Sequence, residues 1–152
     1  MRKERISYGE QADMSMRTWI EISRAFIAIR HKETEYFESK GLTMHQFAVM
    51  EALYHVGPLS IGELTKLILS TPGSMTVIIK NLKKKGYIEP NQQEADKRKI
   101  ILKLTETGQK LIADVFPKHA ENMAGYFSRL NADEQKTLQE LMRKLSKANR
   151  SI

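Results

Sequence analysis

Cysteine is absent from the 152 residues. No disulfide can form, no thiol can sense oxidation, and no zinc site can rely on thiolate ligands. No apolar run approaches the roughly 20 residues of a membrane-spanning helix. The opening Met1-Arg2-Lys3-Glu4-Arg5-Ile6 does not lead into the apolar stretch of a signal peptide, so the expectation is a cytoplasmic protein. A glycine-rich phosphate loop, a Gly-x-Ser-x-Gly turn and a His-Glu-x-x-His pair are all missing, which argues against an enzyme and against a bound cofactor. Internal repeats and low-complexity tracts are missing too.

What the chain does have is positive charge, 25 Lys and Arg against 18 Asp and Glu for a net +7, which asks for a polyanionic partner. Its length suits one domain, or one domain with an oligomerisation region. The charge is concentrated between Lys80 and Lys103, where eight basic residues face three acidic ones. In Ser70 to Pro90, Thr71 can cap a helix that carries Pro72 in its first turn, and Gly86 after three lysines is a natural left-handed stop. A helix over Pro72 to Lys85 gathers Met75, Ile78, Ile79 and Leu82 on one side. Gly73, Thr76, Val77, Lys80 and Lys84 gather on the other, with Ser74 beside them.

After Gly86 the period changes to alternation. Tyr87 to Pro90 reads as a short edge strand, where proline is tolerated. Lys99 to Leu104 reads as a half-buried strand with Ile100, Leu102 and Leu104 inward and Lys99, Ile101 and Lys103 outward. The polar segment Asn91 to Arg98 is too long for a two-residue turn and reads as a protruding hairpin tip. Helix and tip together make a winged helix. The small-residue face can enter a major groove with Ser74, Thr76 and Val77 at base edges or thymine methyls, while Lys80 and Lys84 meet phosphates. Arg98, oriented by Asp96 and accompanied by Lys97, suits the minor groove.

Elsewhere, a long helix from Asp13 to about Phe37 has Met16, Trp19, Ile20, Phe26 and Ile27 on its apolar stripe. Thr43 with Gln46, and Ser60 with Glu63, form two capping boxes, with Leu42–Phe47 and Leu59–Leu64 as staples. They open a helix to about His55 and a short one from Ile61 to about Leu69, which with Pro72 to Lys85 makes a helix-turn-helix. Glu106 to about Arg129 is a long helix interrupted by Pro117. Asn131 and Glu134 box the last helix, whose apolar side is Leu138, Leu141, Met142 and Leu145. The terminal helices expose more apolar surface than one chain can cover, which suggests a two-fold dimer. The fold expected is mainly α: a single domain over 1–152, with a winged helix-turn-helix lobe and small β-hairpin wing at 42–105. Long N- and C-terminal helices at 13–38 and 106–150 form the dimerisation region.

These residues resemble the MarR family of bacterial transcriptional regulators over nearly the whole chain. Asp96-Lys97-Arg98 followed by Ile100 to Gly108 is similar to the family's wing signature, an Asp-x-Arg tip, an alternating strand and Leu-Thr-x-x-Gly. The resemblance implies a homodimer bound to pseudo-palindromic, inverted-repeat operator DNA. It also implies repression relieved by a small, often phenolic, ligand held between the dimer region and the lobe; without cysteine, the oxidation route some members use is closed. The DNA-facing set is Ser60, Ser74, Thr76, Val77, Lys80, Lys84, Asp96, Lys97 and Arg98. A ligand cleft among the first, second and fifth helices has His31, Met44, His45, Phe47, Met50 and Phe116 as candidates, for which core packing is the plainer role. The histidines, His31, His45, His55 and His119, show no metal-site spacing; His45 with Glu51, or His119 with Glu121, could meet in space, and no metal is expected. An architectural, non-specific DNA-binding protein and a protein-interaction module are the competing functions.

Overall fold

A computed structural model of the chain describes residues 6–91 and 100–149. Within them six helices and three short strands follow the order α1 (Glu10–Ser39), α2 (Met44–His55), β1 (Leu59–Ser60), α3 (Ile61–Leu67), α4 (Pro72–Lys84), β2 (Ile88–Pro90), β3 (Ile101–Leu104), α5 (Glu106–Phe127) and α6 (Ala132–Ala148). Local chemistry sets most of these boundaries. The boxes at Thr43/Gln46, Ser60/Glu63 and Asn131/Glu134 are closed in both directions, each satisfying two otherwise orphaned N–H groups. Thr71 accepts from the Ser74 N–H, and Pro72 occupies the first turn of α4, where its missing N–H has no partner to lose. Gly86 ends that helix at φ 72°, a left-handed conformation that favours glycine.

The strands form an antiparallel sheet ordered β1-β3-β2. Pro90 lies on the outer strand opposite Leu102, where a missing donor is harmless. β1, unforeseen in the sequence, pairs Leu59 with Leu102 and Ser60 with Ile101, so β3 is the central strand. This alters the expected facing of Lys99 to Leu104: Ile101 is buried, whereas Ile100, expected inward, is 55% exposed. Ile100 lies just before the strand begins, and within Ile101–Leu104 both Ile101 and its neighbour Leu102 are buried, so the simple in-out alternation does not hold.

The core lies inside the lobe. Met75, Ile79 and Leu82 of α4 pack with Leu53, Leu64, Ile88 and Leu102, and Phe37 of α1 stacks on Phe47 of α2 at 4.1 Å between ring centres. Burying each such side chain contributes about 1.5–3 kcal/mol. The lobe is joined to α5 through the Leu104-Thr105-x-x-Gly108 segment. Thr105 Oγ1 accepts from the Gly108 N–H at 3.0 Å and donates to Gly86 O at 2.6 Å, and the Thr105 N–H donates to Tyr87 O at 3.0 Å. Gly108 lies against that carbonyl so closely that a Cβ would sit 2.1 Å from Tyr87 O.

The long helices tell the opposite story. Along α1 only Glu33 and Phe37 are buried, and Trp19 stands 67% exposed with Met16, Ile20, Phe26 and Ile27 also open. α6 buries none of its residues, its expected apolar side included. No helix among the described residues is long and apolar enough to cross a membrane.

Candidate nucleic-acid interface and interhelical cavity

α4 is two-faced, as its spacing predicts. Met75, Ile79 and Leu82 are sealed in the core, while Ser74, Thr76, Val77, Lys80 and Lys84 are exposed. Lys80, Lys83 and Lys84 make no ion pair among the described residues, so their charge is available to a partner. The fourth lysine of the run has a different use. Lys85 Nζ donates to Gly41 O at 2.6 Å and to Gln46 Oε1 at 3.3 Å, fastening the end of α4 to the α1–α2 corner. Lys103 is likewise engaged, 3.4 Å from Glu89 on the neighbouring strand. Ser60 is half-buried and committed to its box, its hydroxyl donating to Glu63 Oε2 at 2.6 Å. Asp96, Lys97 and Arg98 lie outside the described residues.

A second feature is a cavity of about 360 Å³ between α1, α2 and α5. Phe26, Ile29, Phe37, Met44, Phe47, Met123 and Phe127 supply an apolar lining, with Arg30, Glu33, Glu51 and His119 as its ionisable groups. Of the six residues proposed for a ligand from sequence, Met44 and Phe47 line it. His31 is on the surface beside Glu35 at 3.3 Å, His45 is exposed, Met50 is wholly inside the core, and Phe116 packs edge-on against His55.

Neither His45 with Glu51 nor His119 with Glu121 pairs among the described residues. His119 instead holds Glu33, with Nδ1 and Oε2 2.5 Å apart, and its ring packs against Phe37, Phe47 and Phe116. Glu33 is 2% exposed and its Oε1 has no hydrogen-bond partner among the described residues. Burial, and then the Glu33 carboxylate, push the Tyr126 phenol up to about 12. Burial also raises the Tyr36 phenol, which donates to Val115 O at 2.8 Å. The sequence did carry a sign of this pair: Ile29, Glu33 and Phe37 recur every fourth residue, setting a carboxylate on an apolar stripe. No group of three or more potential metal ligands is present among the described residues.

Residues 33–115 match the family model described as Transcriptional regulator SarA/Rot. YkoM of Bacillus subtilis (strain 168), an uncharacterized HTH-type transcriptional regulator, is 30% identical over 141 residues, 92% of each chain. A MarR mutant from E. coli complexed with operator DNA shares the fold at a TM-score of 0.78 and 22% identity, over 90% of this chain and 99% of that one. NadR in complex with 4-hydroxyphenylacetate shares it at 0.71 and 21% identity, over 97% of each.

Proposed function

The chain belongs to the SarA/Rot transcriptional regulators, a MarR-like winged-helix family, and on that premise we propose that it is a homodimeric repressor of a pseudo-palindromic operator, released by a small aromatic ligand. It is a DNA-binding regulator, and its relatives are regulators rather than enzymes. The observation that carries the operator reading is the exposed face of α4, small near its start and lysine-bearing beyond, on a helix whose other face anchors it in the core. Such a helix enters a major groove with its first turns at the bases and its cations at the phosphates. Residues 42–105 are the DNA-binding lobe, and 13–38 with 106–150 the dimerisation region. The open apolar stripe of α1 and the wholly unburied α6 support the dimer. The apolar cavity, of a volume suited to a small aromatic molecule, supports the ligand; NadR's 4-hydroxyphenylacetate indicates the class.

The test is enrichment of bound fragments from random duplex DNA with the full chain, followed by titration of the recovered sequence and of random duplex at one salt concentration. An inverted repeat bound about a thousandfold or more tighter than random DNA is expected. Equal affinity for both would make the protein an architectural DNA-coating protein. Light scattering should give twice the chain mass, and 4-hydroxyphenylacetate, added to the complex as the first probe of the cavity, should release the DNA.

A further inference from the structure

Resting on the placement of α4 in the major groove, we infer that this protein reads its operator chiefly through thymine methyl groups, with Leu69 and Val77 as the specificity-determining residues. Three observations converge on this. The threonine hydroxyl protons near the start of α4 are committed, which leaves Ser74 as the hydroxyl donor on its groove face. Thr71 Oγ1 donates to Ser74 Oγ at 2.9 Å, and Thr76 Oγ1 donates to Pro72 O at 2.9 Å. A hydroxyl has one proton, so neither threonine retains a donor for a base edge. Secondly, the side chains that grip adenine or guanine in pairs of hydrogen bonds are scarce. α4 has no arginine and no glutamine; its one amide, Asn81, stands a turn beyond Val77 among the lysines.

The third observation is apolar surface where the fold has no use for it. Val77 is 57% exposed on the groove face. Leu69, in the turn between α3 and α4 just ahead of the Thr71 cap, is 88% exposed and is the one non-glycine residue with positive φ, 54°, among those described. A leucine adopts that backbone only at a cost which glycine or asparagine avoids. The chain gains no burial from it in return. The occupant that fits is duplex DNA, because Val77 shares the exposed face of α4 with the uncommitted Lys80 and Lys84, and Leu69 stands three residues ahead of the first residue of that helix. The apolar group that a major groove offers is the thymine 5-methyl.

The test uses the full chain and the duplex recovered by enrichment, beside versions in which each thymine in turn is replaced by uracil, identical but for that methyl. Wild-type affinity should fall about fourfold for each contacted methyl removed, the factor worth about 0.8 kcal/mol for one buried carbon. L69G and V77A should bind the thymine duplex no better than wild type binds the corresponding uracil duplex. They should be indifferent to methyl removal at the position each contacts, and should bind random duplex as wild type does. L69G should melt at or above the wild-type temperature, since the strain is gone, and L69N, which also tolerates the left-handed backbone, should repeat its DNA phenotype. Wild-type indifference to uracil at every position would overturn the inference while leaving the operator reading intact. So would an L69G protein that loses nothing on the thymine duplex, the pattern expected if Leu69 serves a protein partner, or one with equal losses on thymine, uracil and random duplexes, the pattern expected if Leu69 serves the fold. Failure to enrich any motif would overturn the operator reading itself.

Discussion

Gly108→Ala sets two opposed effects against each other at one residue of α5. Helix propensity alone favours alanine by up to about 1 kcal/mol. The added Cβ, however, would lie 2.1 Å from Tyr87 O, 2.9 Å from its carbonyl carbon and 3.2 Å from its Cα. All three are backbone atoms, so no side-chain rotation relieves the overlap, and the start of α5 must retreat from β2 by about an ångström. Forced overpacking of this kind costs about 1–3 kcal/mol. The retreat also stretches the Thr105 N–H bond to Tyr87 O and the Thr105 hydroxyl bond to Gly86 O, at 3.0 and 2.6 Å, each contributing about 1 kcal/mol net. The balance is a loss of about 2–4 kcal/mol. Urea unfolding followed by helical circular dichroism, at one protein concentration because the stability of the proposed dimer would depend on it, should show the midpoint falling by about 1 M or more. Gly62→Ala in α3, where a Cβ meets nothing within 4 Å, is the control and should leave stability unchanged or raise it. A Gly108→Ala protein as stable as wild type would refute the contact.

Three further outcomes are expected. His119→Leu strands a buried, already under-bonded carboxylate at Glu33 and should cost about 3–5 kcal/mol in urea unfolding, most of it recovered when Glu33→Met is added. The Tyr126 phenol, raised from 10.0 to about 12, favours the folded state fully below pH 10, and that contribution is lost as pH rises through about 12. Tyr126→Phe should therefore flatten the alkaline limb of the stability profile and remove one late-titrating phenol from the tyrosinate absorbance. Lys84→Ala should weaken binding to every duplex alike and reduce the salt slope by about one unit, read from anisotropy titrations at several salt concentrations.

The helix starts were legible in the sequence because a capping box is closed by residues three apart. Thr43, Ser60 and Asn131 needed no distant partner to be recognised. The two faces of α4 were legible for a similar reason, since periodicity is local. β1 was not, being two residues that become a strand only by meeting Leu102 and Ile101 some forty positions on. Lys85 looked like one more cation in a run, and only the fold brings Gly41 O and Gln46 Oε1 to its ammonium. The cavity's Glu33 and His119 are 86 residues apart, so their pairing had no trace beyond a carboxylate on an apolar stripe.

The two fastenings of the lobe, Lys85 at the α1–α2 corner and Gly108 against Tyr87, restrict how this regulator can change shape. Both act at the C-terminal end of α4 and the residues just after it, so that end of the reading helix moves only together with the α1–α2 corner and the start of α5. The hollow bordered by α1, α2 and α5 is lined by Phe37 and Met44, one on either side of that corner. In the proposed dimer, a molecule wedged there would press on that corner and alter the span between the two reading helices, a quantity that operator half-sites about 34–36 Å apart tolerate poorly.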